Sequence, residues 1–186
     1  MDDAERRVTE YFGGLGLTSR PFGKAARRLG RTPDFRVCSG TRLVFYCEVK
    51  SPHRASGEDP FASMRETLAR ERVRDRLATH IHTAVKQFDA VNPGLRVPNV
   101  LAFVNHDPRC RFDDMVAAVT EGTTSPDAVG AGCEGAGVTH ALARIHEERR
   151  RIHLYLWFDG GHRPQPVVNV DGAHRRLLTA TLRIEM

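Results

Sequence analysis

At 186 residues the chain fits a single domain, one able to bury about 70% of the surface its unfolded form exposes without disulfide or metal staples. Charged residues at 27% beside hydrophobic residues at 40% exclude a disordered tail and a membrane protein. The formal charge of +5 admits an anionic partner such as nucleic acid. However, among the 28 basic residues only Lys24, Lys50 and Lys86 are lysines, and a GC-rich coding bias toward arginine would give the same balance.

The first element is a short helix over residues 2–15. Ala4, Val8, Tyr11, Phe12 and Leu15 share one face, and glycines at 13, 14 and 16 end it. The arginine-rich stretch 19–31 reads equally as strand or loop. Two β segments follow, Asp34–Cys38 and Arg42–Lys50, joined at Ser39-Gly40-Thr41 as a hairpin. Residues 51–64 read as a loop. A long helix over about 65–91 carries an apolar stripe of Val73, Leu77, Ile81, Ala84, Val85 and Phe88, stopped by Asn92-Pro93-Gly94. Asn99–Asn105 is almost unbroken in apolar residues, as in a strand covered on both faces. A helix over 111–120, an exposed loop over 121–137, a helix over 138–149 and strands at Arg151–Phe158 and Leu177–Glu185 complete the chain. The order α-β-β-α-β gives an α/β fold with a mixed sheet.

The hairpin holds the most informative residues. In its simplest register Ser39 faces Leu43 and Asp34 faces Glu48. Side chains alternate along a strand. One face then carries Phe35, Val37, Leu43, Phe45, Cys47 and Val49, all apolar. The other carries Asp34, Arg36, Cys38, Arg42, Val44, Tyr46, Glu48 and Lys50. Directly opposed residues have Cβ atoms about 4.5–5.5 Å apart, so two like charges there destabilise the sheet unless a cation compensates. Two carboxylates and water suit Mg²⁺ or Mn²⁺, which keep much of their hydration and bind phosphate oxygens. Lys50, on the same face, could position or deprotonate an attacking water or stabilise negative charge on a phosphodiester.

Pro33-Asp34, thirteen intervening residues and Glu48-Val49-Lys50 resemble the motif of the PD-(D/E)XK nuclease superfamily, the restriction-endonuclease-like fold. The resemblance covers about residues 1–105 and leaves 106–186 as the C-terminal part of the same domain, with room for recognition or dimer elements. It implies a three-layer α/β/α core with a central mixed sheet. It also implies metal ligation by Asp34, Glu48 and the Val49 carbonyl, with Lys50 assisting the water. The family tends to place a glutamate on its first helix near the metal, and Glu5 fits that place best. Some branches use a glutamine on the helix after the ExK strand, a role that falls on Gln87. The tyrosine four residues on that marks the exonuclease-like branch is Val91 here.

The activity implied is metal-dependent phosphodiester hydrolysis, with DNA ahead of RNA as substrate and endonuclease action foremost. A nuclease-fold nucleic-acid-binding module or accessory subunit without turnover is the alternative, and ordinary ion pairs on a surface hairpin are the plainest reading. Arg27, Arg28 and Arg31, just before Asp34, and His53 and Arg54, just after Lys50, are candidate nucleic-acid contacts. Arg149-Arg150-Arg151 and Arg175-Arg176 read as solvated helix ends, His80 and His82 as surface residues on different faces, and Asn105-His106-Asp107 as a rim or turn. The cysteines at 38, 47, 110 and 133 have no zinc-site spacing and read as small hydrophobes. The acidic first residues do not resemble a signal peptide, so a cytoplasmic protein is expected. With one domain, specificity would be modest or come from a homodimer or partner protein.

Overall fold

The computed structural model describes residues 1–23, 26, 32–53, 66–120, 147–161 and 163–185, with backbone only at 66–69 and 71. Its centre is a six-stranded mixed sheet whose strands lie side by side in chain order. These are β1 (Thr18–Pro21), β2 (Phe35–Ser39), β3 (Arg42–Lys50), β4 (Asn99–Val104), β5 (Leu154–Phe158) and β6 (Gln165–Val168). β1, β2 and β3 form an antiparallel meander, β3, β4 and β5 run parallel, and β6 returns antiparallel on the far edge.

Helices cover both faces of the sheet. On one side α1 (Asp3–Gly14) places Ala4, Val8 and Phe12 against Phe35, Phe45, Cys47, Val100 and Ala102, and α4 (Gly172–Leu182) adds Leu178 and Leu182. On the other side α2 (Glu66–Val91) and α3 (Phe112–Thr120) pack against Leu101, Phe103, Tyr155 and Trp157. The parallel connections β3–α2–β4 and β4–α3–β5 advance in one direction across the sheet. Right-handed crossovers that do so put both helices on the same face, as found. The α2 stripe is fully realised: Val73, Leu77, Ile81, Ala84, Val85 and Phe88 are all buried. All six residues of β4 are buried, because helices press on both of its faces. Among the described residues no helix is long and apolar enough to cross a membrane.

The hairpin register departs from expectation at the turn and agrees with it at the far end. Ser39 pairs with Arg42, not Leu43, around a two-residue loop in which Gly40 holds φ at 59°. A bulge then separates Val37 from Cys38 on the ladder, with Val37 opposite Phe45 and Cys38 opposite Leu43. Val44 is the extra residue, and it turns onto the apolar face beside Phe45, not the polar face expected for it. The tight turn and the bulge offset each other, so Phe35 pairs with Cys47 and the next step brings Asp34 level with Glu48.

Three other expectations change. Residues 177–185 are not a strand: α4 spans Gly172–Leu182, with Asp171 at its N-cap position. Thr179, Thr181 and Ile184 favour a strand locally, but Leu178 and Leu182 are buried at a spacing of four, which only a helix aims at one core. β6 has no counterpart among the expected elements, and its Pro166 is tolerated because the strand lies at the sheet edge. β5 begins at Leu154, preceded by a turn at 150–151. The loop expected over 121–137 and most of the helix expected over 138–149 lie outside the described residues; 147–149 are helical.

Phe12 is fully buried and meets the Phe45 ring edge-on at 5.3 Å between centroids. Replacing it with Ala is expected to cost about 3–5 kcal/mol of unfolding free energy in urea titration. A loss below about 1 kcal/mol would contradict the packing of α1 on the hairpin.

Candidate functional site

Asp34 immediately precedes β2, and Glu48 and Lys50 occupy the last turn of the pleat in β3. Their side chains reach the α2 side of the sheet. The backbone N–H of Asp34 donates to Glu48 Oε2 at 3.0 Å, and the backbone N–H of Val49 donates to Asp34 Oδ2 at 2.8 Å. Each carboxylate thus receives a backbone donor from the opposing segment, continuing the hairpin with side chains past its last strand pair. Lys50 Nζ donates to Glu48 Oε1 at 2.5 Å and to Gln87 Oε1 at 3.2 Å. Gln87, on α2, donates in turn through Nε2 to the carbonyl of Thr32 at 3.2 Å. One network therefore joins the segment before β2, the end of β3 and the middle of α2.

The charge in this network is unbalanced. Glu48 is only 2% exposed. Burial, followed by the negative charge of Asp34, pushes its carboxyl up to about 8, while Lys50 and the Gln87 amide pull the other way without prevailing. The Cys47 thiol, buried on the opposite face, is pushed well up by burial and by the same two carboxylates. His80 was expected at the surface, but it lies half-buried with its ring edge-on to Phe103 at 6.3 Å. Burial lowers its pKa first, then its proximity to Lys50, Arg76 and His53, so it borders the site. His82 likewise is not a free surface residue, since its Nδ1 lies 2.5 Å from Glu148 Oε1.

The structure does not gather every expected residue. Glu5 lies on α1, which packs on the other side of the sheet, and its Oε2 is 3.7 Å from the Met1 amino group. Among the described residues no three His, Cys, Asp or Glu side chains form a metal-binding group, so Glu5 is not assembled with Asp34 and Glu48. Arg27, Arg28, Arg31 and Arg54 lie outside the described residues. His53 is described and exposed, and its ring stacks on that of His106. Of the other basic residues, Arg151 binds Asp89 and the Pro93 carbonyl, Arg175 pairs with Asp171 at 3.0 Å, and Arg149 is buried.

Sequence reasoning missed the ion pair between Arg76 Nη2 and Asp107 Oδ2, at 2.8 Å. Asp107 is fully buried and also shapes its own turn, accepting from the Arg109 N–H at 3.0 Å. An Asp-Pro turn conceals the ion pair, because only the position of Arg76 on α2 reveals it.

Comparison with known proteins yields no relative: no family model matches the chain, and no curated protein or solved structure matches it. The chemistry of the site therefore rests on its own geometry.

The sign of the Glu48 shift sets a pH dependence. The folded chain keeps this proton up to about pH 8, whereas an ordinary glutamate releases it near 4.5. Between those values the folded state holds more protons than the unfolded one, so stability falls as pH rises. The contribution is complete below the unfolded pKa and is lost as pH climbs through the folded one. Denaturant titrations in chelator are expected to show a decline approaching 1 kcal/mol per pH unit, and Glu48→Gln is expected to flatten it. An equal slope in both proteins would refute the assignment.

Proposed function

We propose that the chain is a divalent-metal-dependent nuclease of the PD-(D/E)XK type that hydrolyses phosphodiester bonds, with DNA as its foremost substrate. The observation that carries this reading is the convergence of Asp34, Glu48, Lys50 and Gln87 into one hydrogen-bonded group. A mixed sheet between two helical layers supports a restriction-endonuclease-like arrangement.

The donor set fits a hard divalent cation. Burial and Asp34 bias Glu48 toward its protonated form even with Lys50 against it, and a cation bound between the carboxylates would relieve that bias. Asp34, Glu48 and the Val49 carbonyl would hold Mg²⁺ or Mn²⁺, which bind through one or two carboxylates and complete their shell with water and phosphate oxygens. Bound there, such an ion would offset charge developing on the phosphodiester and make an adjacent water more acidic.

The side chains of the protein supply the rest. An ammonium group has three N–H donors. Among the described residues, Glu48 and Gln87 take two from Lys50, leaving the third to hold an attacking water or a phosphate oxygen. Gln87 fixes the ammonium by holding Lys50 with its carbonyl and Thr32 with its amide, which makes it a positioning residue. His80, half-buried and lowered toward its neutral form, adds no competing positive charge beside Lys50.

Cleavage of plasmid and linear DNA is expected to require Mg²⁺ or Mn²⁺ and to stop on chelation. Lys50→Ala is expected to lower the rate by about 10²–10⁴-fold, the range for losing one proton-transfer or charge-stabilising group. Asp34→Ala is expected to act as severely, and Gln87→Ala to cost about tenfold, because Lys50 keeps its pair with Glu48. Circular dichroism checks that each variant folds. Undiminished cleavage by Lys50→Ala and Asp34→Ala would refute the proposal, and salt-dependent binding without cleavage under any metal would favour a binding module instead.

A further inference from the structure

His53 lies three residues beyond Lys50 at the exit of β3, and His106 lies two residues beyond the end of β4. The two strands are parallel neighbours, with Lys50 opposite Phe103, so the chain leaves both at the same end of the sheet. There the two imidazole rings lie nearly parallel, 5.1 Å between centroids and 4° between planes. Both residues are exposed.

Their alignment is held from behind. The His106 backbone N–H donates to the Pro52 carbonyl at 3.2 Å, tying one loop to the other. Arg76 Nη1 donates to the His53 carbonyl at 2.8 Å, and its Nη2 to the fully buried Asp107 at 2.8 Å. One guanidinium on α2 therefore holds both loops, one by its backbone and the other through the Asp107 side chain. Ordering two exposed rings costs side-chain entropy and buries little surface. The result is a flat π surface formed before any ligand arrives.

We infer that His53 and His106 form a stacking platform for an unpaired nucleobase, so that the strand entering the site is single-stranded at that point. The inference rests on the nuclease reading and specifies its substrate class. Bases within a duplex offer their edges in the grooves, while their faces are covered by neighbours. An unpaired base exposes its face, and histidine is among the side chains that stack on it. Three residues of chain span at most about 11 Å, which places the platform within about three base steps of 3.4 Å from Lys50. Metal binding is a weaker use of the pair, since no third His, Cys, Asp or Glu among the described residues completes a set.

The test is fluorescence anisotropy in chelator, so that no strand is cut, using a labelled single-stranded oligodeoxynucleotide, its RNA counterpart and the same DNA sequence as a duplex. Wild-type protein is expected to hold single strands more tightly than duplex. His106→Ala is expected to weaken single-strand binding about tenfold, within the range for losing one stacked base, and to leave duplex binding unchanged. His106→Phe, which keeps a flat ring without the imidazole nitrogens, is expected to restore it. RNA bound as well as DNA, or DNA alone, supports the platform and names the source of the base. Single-strand binding that His106→Ala leaves intact, or equal losses on single strand and duplex, overturns it. Binding of neither strand overturns this inference alone, whereas the nuclease reading on which it rests is decided separately by cleavage with Lys50→Ala.

Discussion

The exchange of backbone donors between Asp34 and Glu48 is the constraint around which the rest of the site is organised. Each carboxylate accepts an N–H from the opposite segment, at 2.8 and 3.0 Å, where a carbonyl would serve in an ordinary ladder. The geometry brings two acidic groups together, and Lys50 pairs with one of them, Glu48. A buried N–H must find an acceptor, and removing that acceptor costs about 1–3 kcal/mol. Neither carboxylate can therefore be moved aside without leaving a donor unpaired. Fixed positions, not strong attraction, are what the hairpin secures.

The placement of this pair within the sheet has a topological cause. β3 is the strand where the antiparallel meander meets the parallel half, with β2 on one side and β4 on the other. Its end is therefore approached from one side by the segment before β2 and from the other by the loop after β4, while the connection to α2 starts there as well. In open α/β sheets, ligands bind beyond the carboxyl ends of parallel strands because the crossovers leave a crevice there. The Arg76–Asp107 pair reinforces that end from α2, and Gln87, further along the same helix, reaches the Thr32 carbonyl. One long helix thus sets the spacing of the whole rim.

Much of this was legible from the sequence where the signal was local. The alternation in β3 gave the buried face, the spacing along α2 gave its stripe, and the pairing of Asp34 with Glu48 followed from a register that proved correct at that end. It was correct through two offsetting departures, a tighter turn and a bulge at Val44, neither of which alternation can reveal. Gln87 was reached only through the family resemblance, because its partners Lys50 and Thr32 are remote in sequence. Arg76 and Asp107 are likewise remote from each other in sequence. The C-terminal helix was misread because β-branched residues carry local preference for a strand, while the deciding fact, Leu178 and Leu182 sharing one core, is tertiary. Glu5 illustrates the converse: a residue suitable in type and approximate position that the fold leaves beside the chain's own amino group.

The elevated Glu48 pKa bears on how two neighbouring carboxylates can coexist with a stable fold. Two ionised carboxylates this close and this buried would repel each other with little water to screen them. Burial and the charge of Asp34 bias Glu48 toward its protonated form, which eases that repulsion. At the proposed metal site, proton and divalent cation would compete for the same carboxylate. The affinity of the proposed cation is then expected to rise with pH as the proton is displaced from Glu48.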